Sequence, residues 1–275
     1  MTFELLISAV NRSPEELLKE MHLSSDAVLI IQKNPLKDTD DKGRKAKAGS
    51  TKEYELTFDG HRVKVVEQFA KGVGLSRNTA LSRAEADIVL FADEDIVYEA
   101  DYEEKVLSAF ASHPEASVLL FNMRVDPRRK TYWNESPHRV CFTNYGRYPA
   151  YAIGIRREAV MNNNIRYSEL FGGGARFSNG EDSLFLHDCL KKKLNLFAVT
   201  EVLGEETFRK STWFDGYTDK YFYDRGVLYH FLYGKAALLL CMRFLFVHRD
   251  PVLKERSFIN ALGLMGRGIK KGKSL

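Results

Sequence analysis

Three short clusters in the sequence have residue types and spacings that could do chemistry. The first is Asp93-Glu94-Asp95, directly after the apolar run Ile88-Val89-Leu90-Phe91-Ala92. In an extended chain the first and third residues of a triplet point the same way. Two carboxylates at a strand end can hold a divalent cation through oxygen, directly or through water. Such a cation would neutralise a diphosphate. A solvated acidic turn that caps the following helix accounts for the triplet equally well. The second cluster is Gly72-Val73-Gly74-Leu75-Ser76-Arg77-Asn78. It lacks the third Gly of a dinucleotide fingerprint and the Gly-Lys-Ser/Thr of a P-loop. A Gly turn into a helix, with a guanidinium in the first turn, suits a phosphate or nucleotide edge. A tight turn with Arg77 in a surface ion pair is the competing reading. The third cluster, Asn179-Gly180-Glu181-Asp182, opens a helix with two carboxylates in its first turn, where the helix dipole favours the ionised form. Helices often begin this way without function. Read functionally, one carboxylate is a general base that must reach a hydroxyl at about 2.6–3.2 Å.

These clusters need a scaffold, and the flanking pattern supplies one. Phe3 to Val10 is apolar nearly throughout, as a strand buried on both faces is. Ser13-Pro14-Glu15-Glu16 opens a helix with Ser as N-cap, and Ala27 to Ile31 is the next strand of a βαβ unit. Lys37 to Lys52 reads as a surface loop. Tyr54 to Phe58, Asp59-Gly60 and His61 to Val66 read as a hairpin with a type I′ turn. A helix over Leu75 to Ala84, a strand over Ala86 to Ala92, a helix capped by Asp101 and running to about Ser112, and a strand over Ala116 to Val125 follow. This alternation predicts an open, mostly parallel α/β sheet, whose ligands bind at the carboxyl ends of the strands. Asp126 to Tyr151 has no clear period. A short strand is expected over Ala152 to Ile155, a flexible loop at Phe171 to Gly174, a helix from Glu181 to about Lys192 and a last strand from Leu194 to Val199. Beyond Phe214 the chain is aromatic, then helical.

Composition narrows the classes. The 275 residues are 44% hydrophobic and include 18 Phe and 13 Tyr, enough for a large core and incompatible with low-complexity disorder. Three widely spaced cysteines argue against a disulfide scaffold or a Cys-x-x-Cys zinc site and suit a reducing compartment. Glu4 interrupts the first apolar run, so no secretory leader is expected. Ala236 to Val247 is apolar but contains Arg243 and falls short of the roughly 20 residues that span a bilayer, so it reads as a buried or interfacial helix. The net charge is +4, and residues 251–275 hold six Lys or Arg against one Glu. The body is therefore near neutral, which excludes a basic groove for nucleic acid. The basic tail either rests on an anionic membrane or is simply solvated.

In order and spacing, the Gly-Leu-Ser-Arg-Asn helix start, the strand ending in Asp-x-Asp and the later Gly-Glu-Asp helix start resemble family 2 glycosyltransferases of the GT-A fold. The resemblance runs from Phe3 to about Leu196, and Leu6 to Asn11 looks like that family's first strand and nucleotide loop. Ser211 to Gly216 and Tyr221 to Gly226 look like a bacterial subset that assembles surface polysaccharide. The resemblance implies a GT-A-like, mostly parallel central sheet flanked by helices. Its glycosyltransferase domain would span 1–210, with a nucleotide part to about 125 and an acceptor part from about 126. Residues 211–275 would form an aromatic and helical extension in peripheral contact with the membrane. It implies a nucleoside-diphosphate sugar, by expectation a UDP-sugar, near Ala9, Val10, Asn11, Arg77, Asn78, Asp93 and Glu94. Asp95, with Asp93, would hold Mn2+ or Mg2+. Asp182 would be the base of an inverting transfer to a glycan or polyprenyl-linked acceptor, with Glu181, Gly173 and Trp213 on the acceptor side. The enzyme would work in the cytoplasm, on the inner face of the membrane. Glu94 departs from the Asp that many relatives have at that place. His248 is a further metal ligand or a structural residue, and Trp213, Tyr217, Tyr221 and Tyr223 stack on sugar or pack. The Gly-rich segment from Phe171 to Phe177 is a mobile acceptor loop or a tight turn needing positive φ. Two other functions fit the acidic pair: a nucleotidyltransferase on a sugar phosphate, and a non-catalytic sugar-nucleotide scaffold.

Overall fold

The computed structural model describes residues 1–34, 47–207, 216–252 and 256–275, without the side chains of 251 and 252. Most of the expected loop 37–52, and Trp213, lie outside the described residues. Strand β1 (Phe3–Val10) and the parallel β2 (Ala27–Gln32) are joined by α1 (Pro14–Glu20), the expected βαβ unit. β3 (Thr51–Phe58) and β4 (His61–Gln68) form the hairpin; Asp59 and Gly60 both have positive φ (47° and 85°), as a type I′ turn demands. β4 lies parallel beside β2. α2 (Val73–Arg83) leads to β5 (Ile88–Asp93), which is parallel to β1. Then follow β6 (Ile96–Tyr98), α3 (Tyr102–Ser112), β7 (Val118–Arg124), β8 (His138–Val140), β9 (Ile153–Arg156), α4 (Arg157–Asn162), α5 (Glu181–Lys191) and β10 (Leu196–Glu206).

The sheet order is β3-β4-β2-β1-β5-β9-β7-β10-β6, with β8 on β10. From β4 to β5 it is parallel; beyond β5 it is mixed, because β9 runs antiparallel between β5 and β7. Alternate residues of each central strand feed a core on each face. Leu6, Val28, Ile30, Val89 and Phe91 pack towards α2 and α5. Leu5, Ile7, Leu29, Ile31 and Leu90 pack towards α1 and α3. With both faces covered, these strands need apolar residues at every position, which is why they read as continuous runs.

Local details depart from expectation. Ser13 and Asp101 stand at N-caps without a side-chain capping bond, and Asp101 instead pairs with Lys105 at 2.9 Å. β10 runs seven residues beyond the expected end at Val199, and its last residues pair with β6 immediately after Asp95.

At the C-terminal end, α6 (Asp219–Tyr233), α7 (Ala237–Val247), α8 (Arg249–Val252) and α9 (Phe258–Gly272) form a helical group. α6 buries Val227, Leu228 and Leu232 in the same core as Phe185 and Leu186. Asp219 to Val247, taken as one run, is long and apolar enough by length and composition to cross a membrane. Gly234, at φ 53° and ψ −119°, breaks it, and the fold uses the two halves as a hairpin. The basic tail is a packed helix. α6 and α9 touch backbone to backbone: a Cβ on Gly226 would lie 2.1 Å from the Met265 carbonyl, and one on Gly268 would lie 2.1 Å from the Tyr223 carbonyl. Ala261, Leu264, Met265 and Ile269 fill the seam with Phe222 and Leu245, while Arg267, Lys270 and Lys273 stay exposed.

Candidate active site

The site lies at the carboxyl ends of β1 and β5, where register pairs Ser8 with Asp93. Its centre is a buried cation. Arg77 projects from α2 with its side chain 4% exposed, and its Nη2 donates to Asp93 at 2.9 Å. Its Nη1 donates to Asp182 at 2.8 Å and to Glu181 at 3.3 Å. The guanidinium also lies over the Tyr167 ring, which stacks on Phe185 of α5 at 4.3 Å. Burial works against the Arg77 charge, and Asp93, Asp182 and Glu181 more than offset it, so its pKa lies above the usual value. Asp182 is pushed up by burial, held back by Arg77, and pushed further by Glu181 and Asp93. Thus Asp93 and the two acids of α5, nearly ninety residues apart in the chain, converge on one side chain.

A second acidic corner lies beside the first. Register pairs Glu206, the last residue of β10, with Ile96, and Thr207 N–H donates to the Asp95 carbonyl at 2.7 Å. This brings Glu206 close to Asp95. Burial, then Asp93, then Glu206 raise the Asp95 pKa to about 7. Burial also raises Glu206, against the pull of Arg129, which is bound to it at 2.7 Å. No cationic side chain among the described residues is bound to the Asp95 carboxylate itself. A desolvated acid with acids on two sides lacks positive charge, so these residues fit a divalent cation held by Asp95 and Asp93. No group of three or more His, Cys, Asp or Glu among the described residues forms a complete protein-only metal site. Mg2+-type ions at diphosphates commonly take one or two carboxylates and fill the remaining positions from phosphate and water.

Two cavities flank this centre. One, of about 250 Å3, is lined by Val10, Asn11, Gln32, Lys33, Lys71 and Gly174. The other, of about 370 Å3, is lined by Glu181, Asp182 and Glu206 together with tyrosines and arginines from the 129–151 segment and from α6. Val10 and Asn11 therefore stand where a nucleotide loop was expected, with Asn11 at φ 51°, while Ala9 is buried within β1. Gln32, Lys33 and Lys71 were missed; each lies at or just past an element end, where the sequence pattern gives no signal.

Several expected site residues have internal jobs instead. Arg77 was expected at base or diphosphate and is the buried tie between carboxylates. Asn78 exchanges two hydrogen bonds with the Tyr167 backbone, at 2.8 and 2.9 Å, and so staples α2 to that segment. Glu94 accepts the Val10 N–H at 3.1 Å and fixes the acidic turn to the end of β1. The N-terminus of α2 is not open to phosphate: the Gly173 carbonyl accepts from Val73 N–H at 2.9 Å, and Gln32 Oε1 accepts from Gly72 N–H. Gly173 was expected in a mobile acceptor loop. It sits in a tight turn, with Gly172 and Gly174 at φ 100° and 77°, against α2 rather than in the larger cavity. Gly180, not Asn179, holds the N-cap of α5, at φ 116°, where a Cβ would meet Leu228 at 2.5 Å. His248 lies at the exposed end of α7 against the Phe244 ring, and Tyr217 and Tyr221 pack edge-on at 5.1 Å.

Comparison with known proteins gives the class. Residues 39–172 match the sequence profile described as Glycosyl transferase family 2, a span that holds Arg77 and the acidic triplet and stops before Glu181. No curated protein sequence matches the chain significantly. Among solved structures, S. aureus TarS 1–349 in complex with UDP-GlcNAc has a TM-score of 0.62 at 17% identity, covering 100% of this chain and 84% of that one. The same fragment with UDP gives 0.58 at 16% identity, covering 100% and 83%. A further structure of S. aureus TarS gives 0.59 at 16%, covering 100% and 50%. These structural likenesses speak to the fold, which is GT-A. Residues 39–172, just under half of the chain, are thus similar to glycosyl transferase family 2, and the class this supports is glycosyl rather than nucleotidyl transfer.

Proposed function

We propose that the protein is an inverting, cation-dependent glycosyltransferase that moves a sugar from a UDP-sugar to a hydroxyl of a surface glycan or its lipid-linked precursor. The observation that carries this reading is the Arg77 node, which gathers Asp93, Glu181 and Asp182 at the rim of a cavity large enough for a sugar residue. TarS, similar in fold, is seen with UDP-GlcNAc. In this reading the smaller cavity takes the base and the larger one takes the acceptor.

The acceptor hydroxyl meets Asp182, and its oxygen attacks the anomeric carbon as the bond to the diphosphate breaks on the opposite face. The hydroxyl proton passes to Asp182. Burial makes Asp182 a stronger base than an ordinary Asp, and Arg77 fixes the direction its oxygens face. Glu181 orients the acceptor. Asp95 and Asp93 would hold a divalent cation, whose chemistry there would be Lewis-acid stabilisation of the departing diphosphate.

The C-terminal helices support peripheral membrane contact at a cytoplasmic face. Leu238, Leu239, Met242, Phe246 and Val247 are exposed on α7, with Lys235, Arg243 and Arg249 among them. Phe246→Ser with Leu239→Ser should release the protein from anionic liposomes in a sedimentation assay; undiminished pelleting refutes the contact. The donor reading is tested by thermal stabilisation with a panel of nucleotide sugars in the presence of Mn2+, followed by NMR of the product anomer. Stabilisation by one UDP-sugar and an inverted product are expected. Retention, or no response to any nucleotide sugar, contradicts the reading.

A further inference from the structure

The larger cavity has two chemically different groups in its wall. Glu181, Asp182 and Glu206 supply carboxylates, and Arg129 is committed to Glu206. Two further guanidinium groups line the cavity, and neither has a carboxylate partner among the described residues. Arg147 is exposed on the loop that precedes residues 150–152. Arg225 comes from α6 and is partly buried. Its guanidinium carbon lies 4.5 Å from the Phe244 ring centre, 5.0 Å from Tyr221 and 6.0 Å from Tyr229. Its Nε is buried without an acceptor.

A guanidinium seated among rings is held by cation–π attraction and packing, so it keeps its place without an acid. Arg225 also hydrogen-bonds the Tyr221 and Tyr229 side chains, and the donors that remain favour an oxyanion. The position of Arg225 is also fixed relative to Asp182. The preceding residue, Asp224, is 5% exposed and accepts from the Ser178 N–H at 2.9 Å and from Lys220. Ser178 lies four residues before Asp182, so the turn bearing Arg225 and the start of α5 are locked together. Tyr145, Tyr148, Tyr151 and Tyr229 add aromatic surface suited to the C–H face of a sugar or polyol.

We propose that this cavity is a subsite for an anionic acceptor. Arg225 and Arg147 take a phosphate or carboxylate oxyanion borne by the acceptor, while its reacting hydroxyl faces Asp182. The inference rests on the acceptor reading given above and deepens it. The charges orient the acceptor: Glu181 and Asp182 repel the oxyanion, and the two arginines attract it. An uncharged glycan would leave both arginines without an anionic partner among the described residues.

The test titrates the protein, with UDP and Mn2+ present and again without them, with methyl glucoside, methyl glucuronide and methyl glucoside 6-phosphate. Binding is read by calorimetry. At least one anionic probe should bind about tenfold or more tighter than the neutral glycoside, as charge-assisted hydrogen bonds provide. Which one does so separates a phosphate source from a uronate source. Arg147→Gln and Arg225→Gln should each remove most of that preference and leave neutral-glycoside and UDP affinities in place. Arg225→Lys, which keeps the charge and the packing stem, should retain part of it and covers the case in which Arg225→Gln fails to fold. Equal affinity for all three probes, or an anionic preference that neither Arg147→Gln nor Arg225→Lys diminishes, overturns the proposal. Absence of UDP binding alongside an intact anionic preference counts against the donor reading and not against this one.

Discussion

The two acidic clusters of the cleft are balanced in different ways. Around Arg77, each carboxylate has a direct donor from one buried guanidinium. Around Asp95, neighbouring acids raise its pKa, and the Arg129 guanidinium beside them is spent on Glu206. In the proposed reading the protein carries its own counter-ion around the base and leaves positive charge short where an outside cation would bind with each diphosphate. The first cluster would then be permanent architecture and the second completed by ligand.

The largest effect that sharpens this contrast is on turnover. Asp182→Asn should lower kcat by about 10^2–10^4, the usual worth of a general base, with UDP-sugar affinity unchanged. Steady-state kinetics with a parallel donor titration checks it, and unchanged turnover removes Asp182 as the base. Next is stability at the first cluster. Arg77→Ala strands three acids, and breaking a buried ion pair from one side costs about 3–5 kcal/mol, readable by urea denaturation.

The second cluster should respond with the opposite sign. The fold raises the Asp95 pKa to about 7, so between about pH 4 and 7 the folded chain holds a proton that the unfolded chain has lost. Metal-free stability therefore falls as pH rises through that window. Asp95→Asn should remove the loss, gaining at most about 4 kcal/mol at pH 8, where the wild type is ionised. Melting curves from pH 4 to 8 without metal measure this, and an identical slope in the variant would break the contrast. A smaller effect tests the outlying helices. Gly226→Ala drives a methyl into the Met265 carbonyl and should cost about 1–3 kcal/mol, read as a lower Tm. A silent substitution would mean that α6 and α9 are not locked.

How much of this was legible in the sequence follows from the range of the forces involved. The acidic triplet could be read because an apolar strand ends in it, and local pattern marks strand ends. The hairpin could be read because Asp59-Gly60 states its own turn geometry. The role of Arg77 could not, since two of its three partner acids stand 104 and 105 residues away and only the tertiary fold brings them near. Gly173 was misplaced for a related reason. A Gly cluster specifies positive φ but not which surface its carbonyl will meet. The continuation of β10 was hidden because residues 200–206 are half exposed and polar, and with them went Glu206 and the second corner. The cavity tyrosines sit in an aperiodic segment, where residue type gives no direction. The basic charge of the tail was visible, but charge alone does not show that residues 258–272 pack as a helix against α6.

The most direct test of the central claim is a calorimetric titration of Mn2+ into the UDP-bound protein, comparing the wild type with Asp95→Asn and Asp182→Asn. The account predicts that Asp95→Asn weakens Mn2+ binding at least about tenfold, while Asp182→Asn binds it as the wild type does. Mn2+ binding that ignores Asp95→Asn, or that is lost equally in Asp182→Asn, would contradict it.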